Sequence, residues 1–301
     1  MQKPSLTFII GPTASGKTAY ALGEASRSGA VILSCDSLCV YRGMDIGTAK
    51  PTPEEQALVP HYGIDLADPS ELFSVARYIA FRDALLEKMR QEDRPVMVVG
   101  GSGFYLKSFF APVTDQIEIP PEIEQRVREI REEDGPEGLG RALRGLHAAG
   151  ADFTGLDWQN PRRVEKALLR CLASGRTYAD LMEAFRNLPE PLKDWQKEVH
   201  MVSRSPEILE SRNRRRVQCM LEAGLVDEVR SLREKGFERN PSACGAIGYR
   251  EVLDYLDDKI PAGELAEQIT THTRQLMRKQ RTWFRKQIPI HREITVADGE
   301  C

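Results

Sequence analysis

The eight residues GPTASGKT, from Gly11 to Thr18, match the pattern G-x-x-x-x-G-K-[ST] and constrain the fold more than any other part of this chain. An apolar run at residues 6–10 precedes the motif and good helix formers follow it, which is the strand–loop–helix context that the motif requires. The glycines let successive backbone N–H groups point at phosphate oxygens, and the start of the helix adds partial positive charge. We therefore predict a phosphate-binding loop with Thr18 as the Mg²⁺ ligand, formed by Gly11, Thr13, Ala14, Ser15, Gly16, Lys17 and Thr18.

Short apolar runs also occur at residues 31–35 and 95–99, and they alternate with helical patterns at about residues 16–27 and 75–90. Such runs are typical of strands that are buried on both faces of a parallel sheet. Strands separated by helices predict an α/β fold, here a P-loop NTPase-like parallel sheet flanked by helices.

The chain has 301 residues, which is enough for two domains or for one core with a large insertion. After about residue 111, prolines and glycines interrupt helical patterns, and no convincing strand pattern recurs until near the end. We predict the first part of the core at residues 1–116, a mainly helical insertion domain at 117–200, and a helical remainder of the core at 201–301 with a basic C-terminal helix.

The 42 basic and 45 acidic residues give a net charge of only −3, but they are unevenly distributed. Arginines are concentrated at residues 212–216, and basic residues at 274–286, which suggests a surface for a polyanion. No apolar run approaches the length of a membrane helix, and the six cysteines include no C-x-x-C pair. We expect a protein of the reducing cytoplasm that is not attached to a membrane.

A single acidic residue, Asp36, follows the second predicted strand, at the edge of the sheet where ligands bind in open α/β folds. The strand at residues 95–99 ends in glycines and Ser102 instead of the acidic residue that holds the metal's water in a P-loop NTPase, which is unfavourable for hydrolysis. A carboxylate in this position could bind a metal, orient an acceptor hydroxyl as in a small-molecule kinase, or accept a proton from a nucleophile.

Several further motifs follow one another in an order that resembles the tRNA dimethylallyltransferases, the isopentenyl-tRNA transferase family. They cover nearly the whole chain and include the phosphate loop, Asp36-Ser37, YRGMDIGTAKP at residues 41–51, His61, GGSGFY at 100–105, GAIGYRE at 245–251, TRQ at 273–275 and RKQRTWF at 278–284. The resemblance implies transfer of a dimethylallyl group from dimethylallyl diphosphate to N6 of adenosine-37, next to the anticodon of tRNA, with release of diphosphate.

For the reaction itself, the resemblance implies that Lys17 and Mg²⁺ stabilise the departing diphosphate and that Asp36 accepts the proton of the amine. Ser102, which stands where the family commonly has threonine, would form a hydrogen bond near the reacting groups. Arg212 and Arg216 lie four residues apart on one predicted helix face and could close over the diphosphate.

We expect the partner to be the anticodon stem-loop of tRNA and the protein to act as a monomer. Arg274, Arg278, Arg281 and Arg285 recur at helical spacing, which fits contact with an RNA backbone. Cys39 replaces a glutamine that is common in the family, so base recognition can differ there. Aromatic residues such as Tyr249, Trp283 and Phe284 could stack on bases, although core packing is their more common role. The predicted tRNA-binding residues are Asp36, Ser37, Leu38, Cys39, Gln159, Asn160, Pro161, Arg162, Arg163, Gly248, Tyr249, Arg250, Arg274, Arg278, Lys279, Gln280, Arg281 and Trp283.

Two other functions explain part of the same sequence. An ATP-dependent small-molecule kinase would use the phosphate loop and Asp36, but it gives the two arginine clusters no role. A nucleotide-gated RNA-binding protein would use the arginines, but it gives Asp36 no role. Labelled dimethylallyl diphosphate and labelled ATP, each incubated with the protein and tRNA, distinguish the three functions.

Overall fold

A computed structural model describes residues 3–115 and 117–296 and divides the chain into two compact units. The first comprises residues 1–111 and 191–301, and the second spans Pro112–Glu190. The insertion therefore has different boundaries from the predicted 117–200. The predicted C-terminal boundary at residue 200 is wrong, because residues Gln196–Ser203 form a strand in the sheet of the first unit.

The first unit is built on a parallel sheet, which confirms the predicted fold class. Within the described residues the sheet has six strands in the order β3-β2-β4-β1-β5-β6. The strands are β1 (Ser5–Ile10), β2 (Val31–Cys35), β3 (His61–Tyr62), β4 (Val96–Gly100), β5 (Gln196–Ser203) and β6 (Arg292–Thr295).

Helices cover both faces of this sheet. Alternate residues of β1 point to opposite faces, so Phe8 lies in one buried cluster and Ile9 in the other. The helices of the first unit are α1 (Lys17–Ser28), α2 (Pro53–Leu58), α3 (Val75–Gln91), α4 (Gly103–Lys107), α8 (Pro206–Glu222), α9 (Leu225–Glu234), α10 (Pro241–Cys244), α11 (Tyr249–Leu256) and α12 (Ala262–Gln287).

The second unit is helical and has its own apolar core, which includes Val127, Leu139, Leu143, Val164 and Leu168. Its helices are α5 (Pro121–Gly145), α6 (Pro161–Ser174) and α7 (Tyr178–Arg186). Gly135 interrupts α5 with a φ of 64°, immediately before Pro136. Proline cannot donate a backbone hydrogen bond, and this explains why the long helix breaks at this point.

The described residues include no helix with the length and apolar character needed to cross a membrane. The five cysteines among them are free, and Cys301 lies outside the described part of the chain. The strands β2, β4 and β1 are neighbours, so their carboxyl ends meet at one edge. The phosphate loop, Asp36 and Ser102 all lie at this edge.

Candidate active site

The phosphate loop joins β1 to α1 and curls because two of its residues have left-handed backbone angles. The φ values are 66° at Ala14 and 89° at Gly16. Position 11 has no room for a side chain, because a Cβ added to Gly11 would lie 2.5 Å from the carbonyl oxygen of Val202 on the neighbouring strand. The left-handed angles produce the sharp turn between β1 and α1 that a phosphate-binding loop requires. Two N–H groups of the loop are bonded inside the protein, that of Thr13 to Gln280 and that of Ser15 to the carbonyl of Pro12.

Two arginines from the C-terminal part of the first unit hold the carbonyl groups of this loop. The Nε of Arg204 donates to the carbonyl oxygen of Ser15 at 3.0 Å, and the Nε of Arg212 donates to that of Ala14 at 2.9 Å. Sequence analysis predicted Arg212 but missed Arg204, because Arg204 follows β5 and that strand was not recognised. Both arginines bring positive charge to the loop and also fix its backbone.

One side of the loop opens into a cavity of about 910 Å³, here called the cationic cavity. Burial, together with the nearby charge of Arg216, lowers the pKa of Lys17 to about 8, while the charge of Asp36 acts in the opposite direction. The Thr18 side chain lines the same cavity. Its lining residues are Ala14, Gly16, Lys17, Thr18, Ala19, Glu55, Glu207, Ile208, Ser211, Arg212, Arg215, Arg216 and Cys219.

Asp36 and Ser102 are brought together by the adjacent ends of β2 and β4. A carboxylate oxygen of Asp36 accepts the N–H of Leu38 at 2.9 Å, which fixes the turn after β2. The N–H of Ser37 donates to the hydroxyl of Ser102 at 2.9 Å, and the Ser102 N–H donates to the Cys35 carbonyl at 3.2 Å. The two polar side chains therefore lie on a well-fixed backbone.

These residues line a second cavity of about 630 Å³, here called the carboxylate cavity. Its walls combine polar groups at the strand ends with apolar side chains from α8 and α12, among them Val217, Met220, Ile269 and Leu276. Arg216 lines both this cavity and the cationic one. Burial lowers the pKa of Arg216, and the nearby Asp36 charge counteracts this change. A site for an anion and a site with a single carboxylate therefore meet at Arg216.

The loop at residues 44–50 carries part of this wall, and remote residues hold it in place. The Glu228 carboxylate accepts the N–H groups of Asp45, Ile46 and Gly47 at 3.0, 2.7 and 3.2 Å. The carbonyl of the next residue, Thr48, accepts a hydrogen bond from Arg216 at 3.3 Å. No sequence signal pointed to Glu228, because its partners lie about 180 residues away along the chain.

Comparison with known proteins identifies the family. The model of the IPP transferase family matches residues 39–287. A tRNA dimethylallyltransferase from Opitutus terrae is 48% identical over 98% of this chain and 94% of the relative. The chain belongs to the IPP transferase family.

Solved structures agree with this assignment. The full-length tRNA isopentenylpyrophosphate transferase from Bacillus halodurans superposes with a TM-score of 0.70 at 31% identity, and the match covers 99% of this chain and 92% of that one. A eukaryotic dimethylallyltransferase acting on tRNA has a TM-score of 0.81 over 98% of this chain and 74% of that one. At 22% identity, the eukaryotic structure supports the fold alone.

Some of the residues predicted to contact RNA make contacts inside the protein instead. Tyr249 is fully buried and its hydroxyl donates to Glu228 at 2.6 Å, so its ring packs in the core, which is the more common role, and is not exposed for stacking on a base. Gln280 accepts the N–H of Thr13 at 3.0 Å and donates to the carbonyl of Gly101 at 3.3 Å, and thus ties the phosphate loop to the loop after β4. Phe284 is also fully buried.

Several other predicted residues line the carboxylate cavity or lie near it. Cys39 is buried, and burial raises the pKa of its thiol, which opposes any role as a nucleophile. Arg250 is ion-paired with the buried Glu251. The predicted residues that line the cavity are Asp36, Ser37, Leu38, Gly248, Lys279, Gln280 and Trp283.

The basic stripe on α12 is only partly engaged in ion pairs. Arg274 pairs with Glu210 and Arg285 with Glu293, each at 3.3 Å. Arg278, Lys279 and Arg281 are exposed and have no ion-pair partner within residues 3–115 and 117–296. Their charges are therefore available to a ligand.

The predicted RNA-contacting residues of the second unit lie at the start of α6. The Asn160 side chain caps this helix, Pro161 is its first residue, and Gln159 precedes the cap. Arg162 and Arg163 are exposed, and Arg163 has one distant partner, Asp157, at 3.7 Å. The capped helix thus presents two arginines at the surface of this unit.

The residues around Thr18 fit Mg²⁺ only in combination with a bound phosphate. No group of three or more acidic, histidine or cysteine side chains that could hold a metal occurs in the described residues. Mg²⁺ retains several waters and takes phosphate oxygens as ligands, so one hydroxyl beside a phosphate site is an adequate protein contribution.

Proposed function

We propose that this protein is a tRNA dimethylallyltransferase, which transfers a dimethylallyl group from dimethylallyl diphosphate to N6 of adenosine-37 and releases diphosphate. The observation that carries the proposal is the meeting of the cationic and carboxylate cavities at Arg216. A prenyl transfer needs an anion site for the leaving group and a proton acceptor for the amine, on opposite sides of the reacting carbon. The names of the relatives point to the same reaction.

The donor side of the reaction is assigned to the cationic cavity. The loop N–H groups, Lys17, Arg212 and Arg216 would bind the diphosphate and stabilise the negative charge that grows on it as the allylic C–O bond breaks. The apolar residues from α8 and α12 would accommodate the dimethylallyl group and exclude water from the reacting carbon.

The acceptor side is assigned to the carboxylate cavity. The N6 lone pair forms the new C–N bond, the C–O bond electrons leave with the diphosphate, and the N6 proton passes to Asp36. The exocyclic amine is a weak nucleophile because its lone pair is delocalised into the ring, so a positioned proton acceptor helps. Ser102, held by the Ser37 N–H, would orient the amine or the phosphate.

We further propose that Thr18 holds Mg²⁺ together with the diphosphate. When bound, the ion would neutralise charge on the leaving group. The exposed Arg278, Lys279 and Arg281 would bind the backbone of the anticodon stem-loop, and Arg162 and Arg163 of the second unit would add to the RNA contact. The protein would work as a monomer in the cytoplasm.

Incubation of the protein with tRNA and either labelled dimethylallyl diphosphate or labelled ATP tests the function. We expect label to enter tRNA only from the prenyl donor, and to be lost when the tRNA carries guanosine at position 37. Transfer of label from ATP to a small hydroxyl compound would support a kinase instead, and tRNA binding without any transfer would support an RNA-binding protein.

A further inference from the structure

The rim of the carboxylate cavity carries an aromatic side chain that the reaction described above does not use. Phe104 lines this cavity and is 66% exposed. Every other phenylalanine, tyrosine and tryptophan in the described residues is buried or half-buried. An exposed aromatic ring at the entrance to a cavity offers a flat face on which a base can stack.

The residues on both sides of Phe104 are packed against the protein, which fixes the position of its backbone at the rim. The next two residues of α4, Tyr105 and Leu106, are buried, and the Tyr105 ring stacks on Tyr78 with 4.0 Å between centroids. The residue before it, Gly103, approaches the indole of Trp283 so closely that an added Cβ would lie 3.0 Å from it. The backbone of Phe104 is therefore fixed at the cavity rim, and its ring is exposed there.

The surroundings of the ring favour a nucleic acid over an apolar protein surface. Lys279, Gln280 and Trp283 line the same cavity, and Arg278, Lys279 and Lys286 line a shallow groove on the adjacent α12. An exposed aromatic ring beside several cations is the combination that binds single-stranded nucleic acid by stacking and backbone contact.

An adenosine in a folded loop has to leave its stack before N6 can approach Asp36 inside the cavity. Its neighbours in the RNA then remain outside, at the entrance, with one base face uncovered. We propose that Phe104 stacks on the uncovered face of a base adjacent to the target adenosine and thereby stabilises the flipped-out arrangement. This inference rests on the proposed function and adds to it a positioning residue for the RNA.

The test compares Phe104→Ala, Phe104→Leu and Phe104→Trp in the full-length protein. Loss of the ring should lower kcat/KM for tRNA about tenfold or more in the alanine variant. The leucine variant should recover little of this, because it restores apolar volume without a stacking plane, and the tryptophan variant should recover most of it. KM for dimethylallyl diphosphate should stay unchanged in all three.

A fluorescence measurement reports the stack directly. With 2-aminopurine on either side of the target adenosine, wild-type protein should quench one of the two probes, and Phe104→Leu should not. Leu72→Ala is the matched control, since Leu72 is 64% exposed and does not line the cavity. Wild-type kcat/KM in Phe104→Ala, or equal quenching by Phe104→Leu and wild type, would overturn the proposal. Failure of wild-type protein to prenylate tRNA would instead reject the proposed function.

Discussion

The phosphate loop and the loop at residues 44–50 both contribute walls to the candidate active site, but they obtain their shapes in different ways. The phosphate loop has a turn that its own sequence specifies, with left-handed angles at Ala14 and Gly16, and hydrogen bonds from Arg204 and Arg212 add support to this turn. The second loop is held by Glu228 from α9 and, at its end, by Lys50, whose ammonium donates to Asp45 and Asp65 at 2.5 and 2.7 Å. A local motif therefore reveals the first loop, whereas only long-range contacts reveal what the second one depends on.

The largest effect is expected for Asp36, the single carboxylate of the carboxylate cavity. Asp36→Asn keeps an oxygen that can accept the Leu38 N–H but cannot take the proton of the amine. We expect the single-turnover rate to fall by about 10² to 10⁴, the usual range for a positioned base, with tRNA affinity nearly unchanged. Rapid-quench kinetics with saturating substrates measure this. A near-normal rate would remove Asp36 from the chemistry.

The phosphate loop should also show a pH dependence that comes from Lys17. The pKa of this residue is lowered to about 8 in the free protein, and a bound diphosphate favours the charged ammonium and raises it. The donor-binding form is therefore present below pH 8 and is lost as the pH rises through that value. KM for dimethylallyl diphosphate should increase by up to about tenfold per pH unit above 8.

Lys17→Met separates this effect from the donor's own titration. The neutral variant should have a high KM at pH 7 and only the pH dependence that the donor itself contributes, while Lys17→Arg should keep charge at every pH in the range. If wild type and Lys17→Met showed parallel pH profiles, Lys17 would not be the titrating group.

The parts of the site whose geometry is local could be predicted from the sequence. The phosphate loop, Asp36 at the end of β2 and Ser102 after β4 lie where the pattern of buried strands predicted, since parallel neighbours end at one edge. The strand β5 was not predicted because its first half, with Lys197 and Glu198, is polar. Arg204 was not identified as a site residue because it directly follows this strand.

Side chains whose roles depend on long-range packing could not be assigned from the sequence. Tyr249 lies in a motif shared with RNA-modifying relatives, yet its ring is buried against Phe237 and its hydroxyl is bonded to Glu228. Gln280 lies among exposed cations on α12 but turns inward to the phosphate loop. Helical spacing predicts which face such a residue occupies and does not predict what covers that face.

Glu228→Gln tests the dependence of the second loop on a remote carboxylate. The substitution removes the charge that accepts three backbone N–H groups and the Tyr249 hydroxyl. We expect unfolding free energy to fall by about 1 to 2 kcal/mol, since hydrogen bonds to a charged group are strong. The Thr48 carbonyl of this loop also accepts a hydrogen bond from Arg216, which we assign to diphosphate binding. We therefore expect kcat/KM for the donor to fall about tenfold. Urea unfolding and steady-state kinetics measure the two effects.

Asp227→Asn provides the control for this change. Asp227 is adjacent in sequence and 78% exposed, and its ion pair is with the exposed Arg230. It should alter neither stability nor kinetics appreciably, because exposed pairs contribute little. Equal effects of the two substitutions would show that the loop does not depend on Glu228.

The smallest effect concerns the stripe on α12, which has paired and unpaired cations side by side. Arg278 and Arg281 are exposed and lack ion-pair partners within the described residues, whereas Arg274 and Arg285 have acidic partners. If the unpaired residues contact RNA phosphates, replacing both by glutamine should reduce the slope of log affinity against log salt by about 0.7 to 0.9 for each arginine. The rate at saturating tRNA should be retained, since neither side chain lines the carboxylate cavity.

Arg90→Gln with Arg230→Gln is the control variant, because it removes two exposed arginines from other helices and should leave the slope unchanged. Titration with tRNA at several salt concentrations compares the three proteins, and equal slopes would assign the RNA backbone to a different surface.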